Sequence, residues 1–132
     1  MTTESIRELF SLNSVKELFP AQRTEDFFEA LFGDAAEGAF DISLAFNDHH
    51  AETKTLQFEL HLTERPGRCL SCNLTYGLPE VFSRHPVINI QGLVADIDKI
   101  LDGRAACGEW KLGATISAAR DLHIIPLIIQ LQ

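Results

Sequence analysis

A chain of 132 residues, 45% hydrophobic and 23% charged, has room for one hydrophobic core but not two, and its usage is that of a folded domain rather than a disordered segment. Its formal net charge of -8, with no cluster of Lys and Arg, opposes binding to a nucleic-acid backbone or an anionic membrane surface. Residues 1–132 are therefore expected to form a single domain with neither nucleic acid nor membrane as partner.

The amino terminus begins Met-Thr-Thr-Glu-Ser, with no basic stretch leading into an apolar run as in a secretory leader. Ser5 to Phe10 places Ile6, Leu9 and Phe10 at helical spacing, and Ser14 is suited to cap a turn over Val15–Phe19 that Pro20 ends. Thr24 precedes Glu25 and Asp26, acids that suit the positive end of a helix dipole. Phe27, Phe28, Leu31 and Phe32 make the apolar stripe of that helix, and Gly33 its stop.

From Phe40 the period becomes two. Phe40, Ile42, Leu44 and Phe46 alternate with polar or small residues, then Leu56, Phe58, Leu60 and Leu62, then Leu70, Cys72, Leu74 and Tyr76. The pattern predicts three half-buried strands in an antiparallel meander, with Pro66-Gly67 at the second turn. His49-His50 falls in the expected hairpin loop before the second strand.

Pro79 to Arg84 reads as one helical turn broken by His85-Pro86. Asn89 is placed to cap a helix carrying Ile90, Leu93, Val94, Ile97, Ile100 and Leu101 on one face, with Gly103 after its end. Trp110, Leu112, Ala114, Ile116 and Ala118 predict a fourth strand, and Arg120-Asp121 turns into a fifth, Leu122–Leu131. That last strand is apolar on both sides, with Ile125, Leu127, Ile129 and Leu131 on one and Ile124 and Ile128 on the other. Pro126 has no amide hydrogen to donate, which favours an edge or a bulge, and an apolar edge needs cover. The N-terminal helices or a second subunit can supply it, and a homodimer through the last strand is the partner expected. The fold expected is α+β: a single antiparallel five-stranded sheet, β-β-β-α-β-β, with N-terminal helices and one helix packed on a face.

The short motif with chemistry behind it is Cys69-x-x-Cys72, a spacing used by metal sites and dithiol redox pairs. On a continuous strand, however, residues three apart point to opposite faces, so the two sulfurs neither share a metal nor form an unstrained disulfide. With Cys107 the cysteines number three and cannot all pair within one molecule, in keeping with a reducing, cytoplasmic setting. The polar side of the predicted sheet collects Ser43, Glu59, His61, Ser71, Asn73, Thr75 and Thr115. Glu59, His61, Ser71 and Asn73 are the candidate ligand-binding residues for a small molecule or peptide.

In a regular meander Asp41, His61 and Ser71 also fall in one row, the residue types of a nucleophile, base and orienter. Arg84-His85 is a candidate anion contact. The chain has no G-x-G-x-x-G, P-loop, H-E-x-x-H or G-x-S-x-G motif, and no catalytic residue, cofactor or resident metal is assigned.

The element order, on a small acidic chain, is similar to that of the small dimeric type III secretion chaperones. The similarity is one of topology, and this chain ends in a strand where those chaperones continue into another helix. It implies a dimeric helper that holds partner segments and has no active site. The function expected is thus a non-enzymatic interaction or ligand-binding module. The alternative is a metal- or thiol-dependent protein using Cys69 and Cys72.

Overall fold

A computed structural model describes residues 9–10, 12–34, 38, 40–50, 52–68, 78–101, 103 and 105–132. Two helices, α1 (Leu12–Leu18) and α2 (Ala21–Phe32), lead into the hairpin β1 (Phe40–His50) and β2 (Thr55–Glu64). Then come α3 (Leu78–Arg84), α4 (Ile90–Leu101), β3 (Cys107–Leu112), β4 (Ile116–Ala119) and β5 (Leu122–Leu131). The strands make one antiparallel five-stranded sheet in the order β1-β2-β5-β3, with β4 also paired to β5. The α+β class and the five-stranded antiparallel sheet are as the periodicity predicts.

The composition of the sheet differs from a simple meander. The segment expected as a third strand, with Cys69, Ser71, Cys72 and Asn73, lies outside the described residues. The neighbour of β2 is β5, and the stretch expected as one strand from Trp110 to Ala118 is two, β3 and β4, lying end to end along β5. The last strand is therefore in the middle of the sheet, not at an edge.

Pro126 is accommodated there by the break between β3 and β4. The Gly113 amide donates to the Pro126 carbonyl at 2.8 Å. A strand residue's amide and carbonyl share one edge, so the missing donor of Pro126 also faces this side. The ladder is interrupted where β5 has no hydrogen to give.

Local chemistry explains the helix ends. Asn89, at φ 49, caps α4 by accepting the Gly92 amide on Oδ1 at 3.1 Å, as its position in the sequence suggests. Gly33 takes the left-handed conformation, φ 79, and its amide closes α2 on the Glu29 carbonyl. Two starts differ from expectation. α1 begins at Leu12, ahead of Ser14, and α2 begins directly after an extended Pro20, leaving Thr24 inside the helix. The buried Thr24 hydroxyl has another task. It donates to the Ile42 carbonyl and accepts the Ile42 amide, both at 3.1 Å, tying α2 to the outer edge of β1.

The inner face of the sheet and the helices share one core. Leu56, Phe58, Leu60 and Leu62 of β2 and Ile125, Leu127 and Ile129 of β5 are fully buried. α4 turns Ile90, Leu93, Val94, Ile97 and Leu101 into the same core. Phenylalanines organise its two ends. Phe58 meets Phe10 edge-on at 5.0 Å and Phe46 at 5.5 Å, while Phe27 meets Phe82 at 5.4 Å and Phe28 at 5.3 Å. A bulge in β1 between Phe46 and Asp48 changes the register, so His49 lies opposite Leu56 and is buried. His49 and His50 thus close the strand instead of standing in a loop.

Candidate functional site

The outer face of the sheet is built by the residues that alternate with this core. On β2 these include Gln57, Glu59, His61 and Thr63; on β5 they are Leu122, Ile124, Pro126, Ile128 and Gln130. His61 Nε2 and Glu59 Oε1 are 2.9 Å apart, and both side chains are 28% exposed. Cross-strand pairing sets their surroundings. Ser43 of β1 and Ile124 of β5 flank His61, and Ala45 and Pro126 flank Glu59. Glu59 and His61 are thus brought together as a polar pair beside an apolar stripe. The stripe continues onto β4, where Ile116 sits opposite Ile124 and is 50% exposed. None of Ile116, Leu122, Ile124 or Ile128 belongs to the core cluster.

The other two candidate ligand-binding residues, Ser71 and Asn73, lie outside the described residues, as do Thr75 and the Cys69-x-x-Cys72 pair. The expected Asp41–His61 opposition does not occur. The register pairs Asp41 with Thr63 and His61 with Ser43, and Asp41 accepts Arg65 Nε at 3.0 Å. Since β5 occupies the far side of β2, the neighbour of His61 there is an isoleucine. Thr115 is buried and no part of the polar surface. Arg84 pairs with Glu80, and the His85 ring lies against Phe27 at 4.8 Å while its Nδ1 accepts the Val87 amide.

A second region has no counterpart among the candidates read from the sequence. Trp110, the only tryptophan, lines three open grooves around β3, with volumes of about 610, 490 and 240 Å³. The largest runs between Pro79, Glu80 and Ser83 of α3 and the Leu112–Ala114 end of β3. The indole Nε1 donates to Gln91 of α4 at 3.0 Å, which fixes the ring's orientation. Aromatic and apolar residues beside a strand that, among the described residues, has one edge unpaired are features of protein contact surfaces.

Cys107 begins β3, half-buried, and its amide donates to Asp98 Oδ1 at 2.9 Å. Burial, with the Asp98 carboxylate adding to it, raises the thiol from 9.0 to about 11. A group at that value is almost wholly protonated at neutral pH and a poor nucleophile. In a Cys69→Ser/Cys72→Ser variant, iodoacetamide is expected to alkylate native Cys107 slowly at neutral pH, accelerating as the pH climbs past 9.0 toward about 11. The linkage has the same sign: folding favours the neutral thiol, so its contribution to stability is intact below the unfolded pKa and is lost as pH rises through the folded one. Alkylation at neutral pH as fast as in the urea-unfolded chain would contradict this.

Among the described residues, no group of three or more His, Cys, Asp and Glu side chains is placed to hold a metal ion, and no helix is long and apolar enough to cross a membrane. Compared with family models, with curated proteins and with solved structures, the chain has no significant match.

Proposed function

We propose that this protein is a non-enzymatic interaction module, acting in the cytoplasm as a homodimer, whose outer sheet face receives a protein partner. The observation that carries this reading is the stripe of Ile116, Leu122, Ile124, Pro126 and Ile128. It lies along the centre of the face turned away from the core, bordered by the Glu59–His61 pair. An apolar centre with a polar border is the usual anatomy of a recognition surface. The hydrophobic area supplies affinity, and Glu59 and His61 can select for hydrogen-bonding groups at its margin. Both edges of β5 are paired within the subunit, so the last strand can contribute only these side chains to any contact.

The test is affinity capture from the native host with cross-linking, comparing the wild-type chain with Ile124→Lys/Ile128→Lys. A discrete protein retained by the wild type should bind the variant at least about tenfold more weakly, as expected when two apolar anchors of roughly 1.5–3 kcal/mol each become charged. Circular dichroism checks that the variant is folded, since these positions lie outside the core. Equal retention by both chains would exclude the outer face as the contact.

A further inference from the structure

Among the described residues β3 forms one border of the sheet, with no strand paired on its outward side. Because Gly113 turns its amide to β5, strand alternation directs the amides and carbonyls of Trp110 and Leu112 the other way, into the grooves that flank the strand. On the outer face Glu109 and Lys111 are both exposed, two positions apart, and among the described residues neither makes an ion pair. A lone edge lysine protects a strand from self-pairing. Glu109 reverses that effect for one geometry.

We propose that two copies of the chain join by antiparallel pairing of β3 about a two-fold axis at Trp110, making one continuous sheet across both. In this register Trp110 faces Trp110, and each Glu109 lies directly opposite the Lys111 of the second copy. The self-complementary charges give two cross-strand ion pairs from a single Glu-Trp-Lys segment. A bulge in β3 between Cys107 and Trp110 takes Gly108 out of the regular alternation, so the paired stretch is Glu109 to Lys111. The incoming end of the second strand enters the groove of about 610 Å³ beside α3. The outward Trp110 amide and carbonyl gain partners, and the half-buried indole, already oriented by Gln91, becomes the buried anchor of the contact. This rests on the homodimer proposed above and names how its copies meet. Their outer faces would then lie side by side on one surface.

The charge order makes a strict test by light scattering and sedimentation at low salt. Wild type should be dimeric at micromolar concentration. Lys111→Glu, which sets Glu against Glu, and Glu109→Lys, which sets Lys against Lys, should each raise the dimer dissociation constant about tenfold or more. Mixing the two variants should restore association as a heterodimer, and the double exchange Glu109→Lys/Lys111→Glu should restore the homodimer. Emission of the single tryptophan should shift on dilution of wild type and not of the single variants.

A monomeric wild type, a dimer indifferent to both single exchanges, or failure of the mixed pair to associate would each overturn the proposal. Loss of the dimer in Ile124→Lys/Ile128→Lys alone would assign it to the outer face instead. A synthetic Glu-Trp-Lys peptide that binds the monomeric variants but leaves wild type monomeric would identify the groove as a peptide site and exclude the dimer. Partner capture by the single-exchange variants separates failure of this inference from failure of the outer-face reading.

Discussion

Phe58→Ala is expected to lower the stability of the fold by about 4 kcal/mol, within the 3–5 kcal/mol usual for deleting a buried phenylalanine ring. Phe58 has no exposed surface, lies opposite Phe46 in the β1–β2 ladder, and meets both Phe10 and Phe46 ring to ring. Its removal takes away buried apolar area and two aromatic contacts, and β2 is held between two neighbours, so the site has little freedom to collapse. Against a typical total of about 5–15 kcal/mol, such a loss leaves a marginal fold. Urea unfolding should show the midpoint falling with an unchanged slope. A loss below about 1.5 kcal/mol would mean that the space is refilled and the cluster is looser than its geometry implies.

Thr24→Val should cost about 2–4 kcal/mol, although valine has nearly the same shape. The Thr24 hydroxyl serves both the amide and the carbonyl of Ile42. Valine would leave two buried backbone groups without that partner, at about 1–3 kcal/mol for each. Thr24→Ser keeps the hydroxyl and should cost much less, chiefly through one lost methyl. If Val and Ser prove equally damaging, the methyl packing and not the bridge accounts for the role of Thr24. Hydrogen exchange at the Ile42 amide is a direct second readout, with faster exchange expected in Thr24→Val and little change in Thr24→Ser.

Much of this architecture was legible because its signals are local. Phe40, Ile42 and Leu44, then Leu56 through Leu62, alternate with a period of two and face the core as expected. Asn89 and the apolar face of α4 announce that helix from a capping residue and a period near 3.6. The misread features depend on groups far apart in the chain. Thr24 resembles a cap when only Glu25 and Asp26 are considered, and becomes a strand clasp only once Ile42 is beside it. Pro126 argues for an edge until a break in the neighbouring strand is allowed to absorb its missing hydrogen. The β1 bulge cannot be seen in a pattern that reads well in either register, yet it sends His49 inward.

The candidate site divides in the same way. Glu59 and His61 are two apart on one strand, so their adjacency needs nothing beyond β geometry. Their neighbours Ile124 and Pro126 come from the opposite end of the chain, through a pairing that skips the connection order. The grooves beside Trp110 require α3 to lie along β3, a packing that neither segment encodes alone.

Among the described residues the two borders of the sheet, β1 and β3, are unequal. Along β1, α1 and α2 lie against the strand and the Thr24 hydroxyl occupies the outward groups of Ile42. A protomer open at both borders adds copies head to tail into a ribbon without end. One whose β1 carries two helices and the Thr24 clasp adds copies less readily at that border, so the proposed pairing at β3 would favour an assembly of two. On that proposal a buried threonine in a helix helps limit the size of an assembly it never touches.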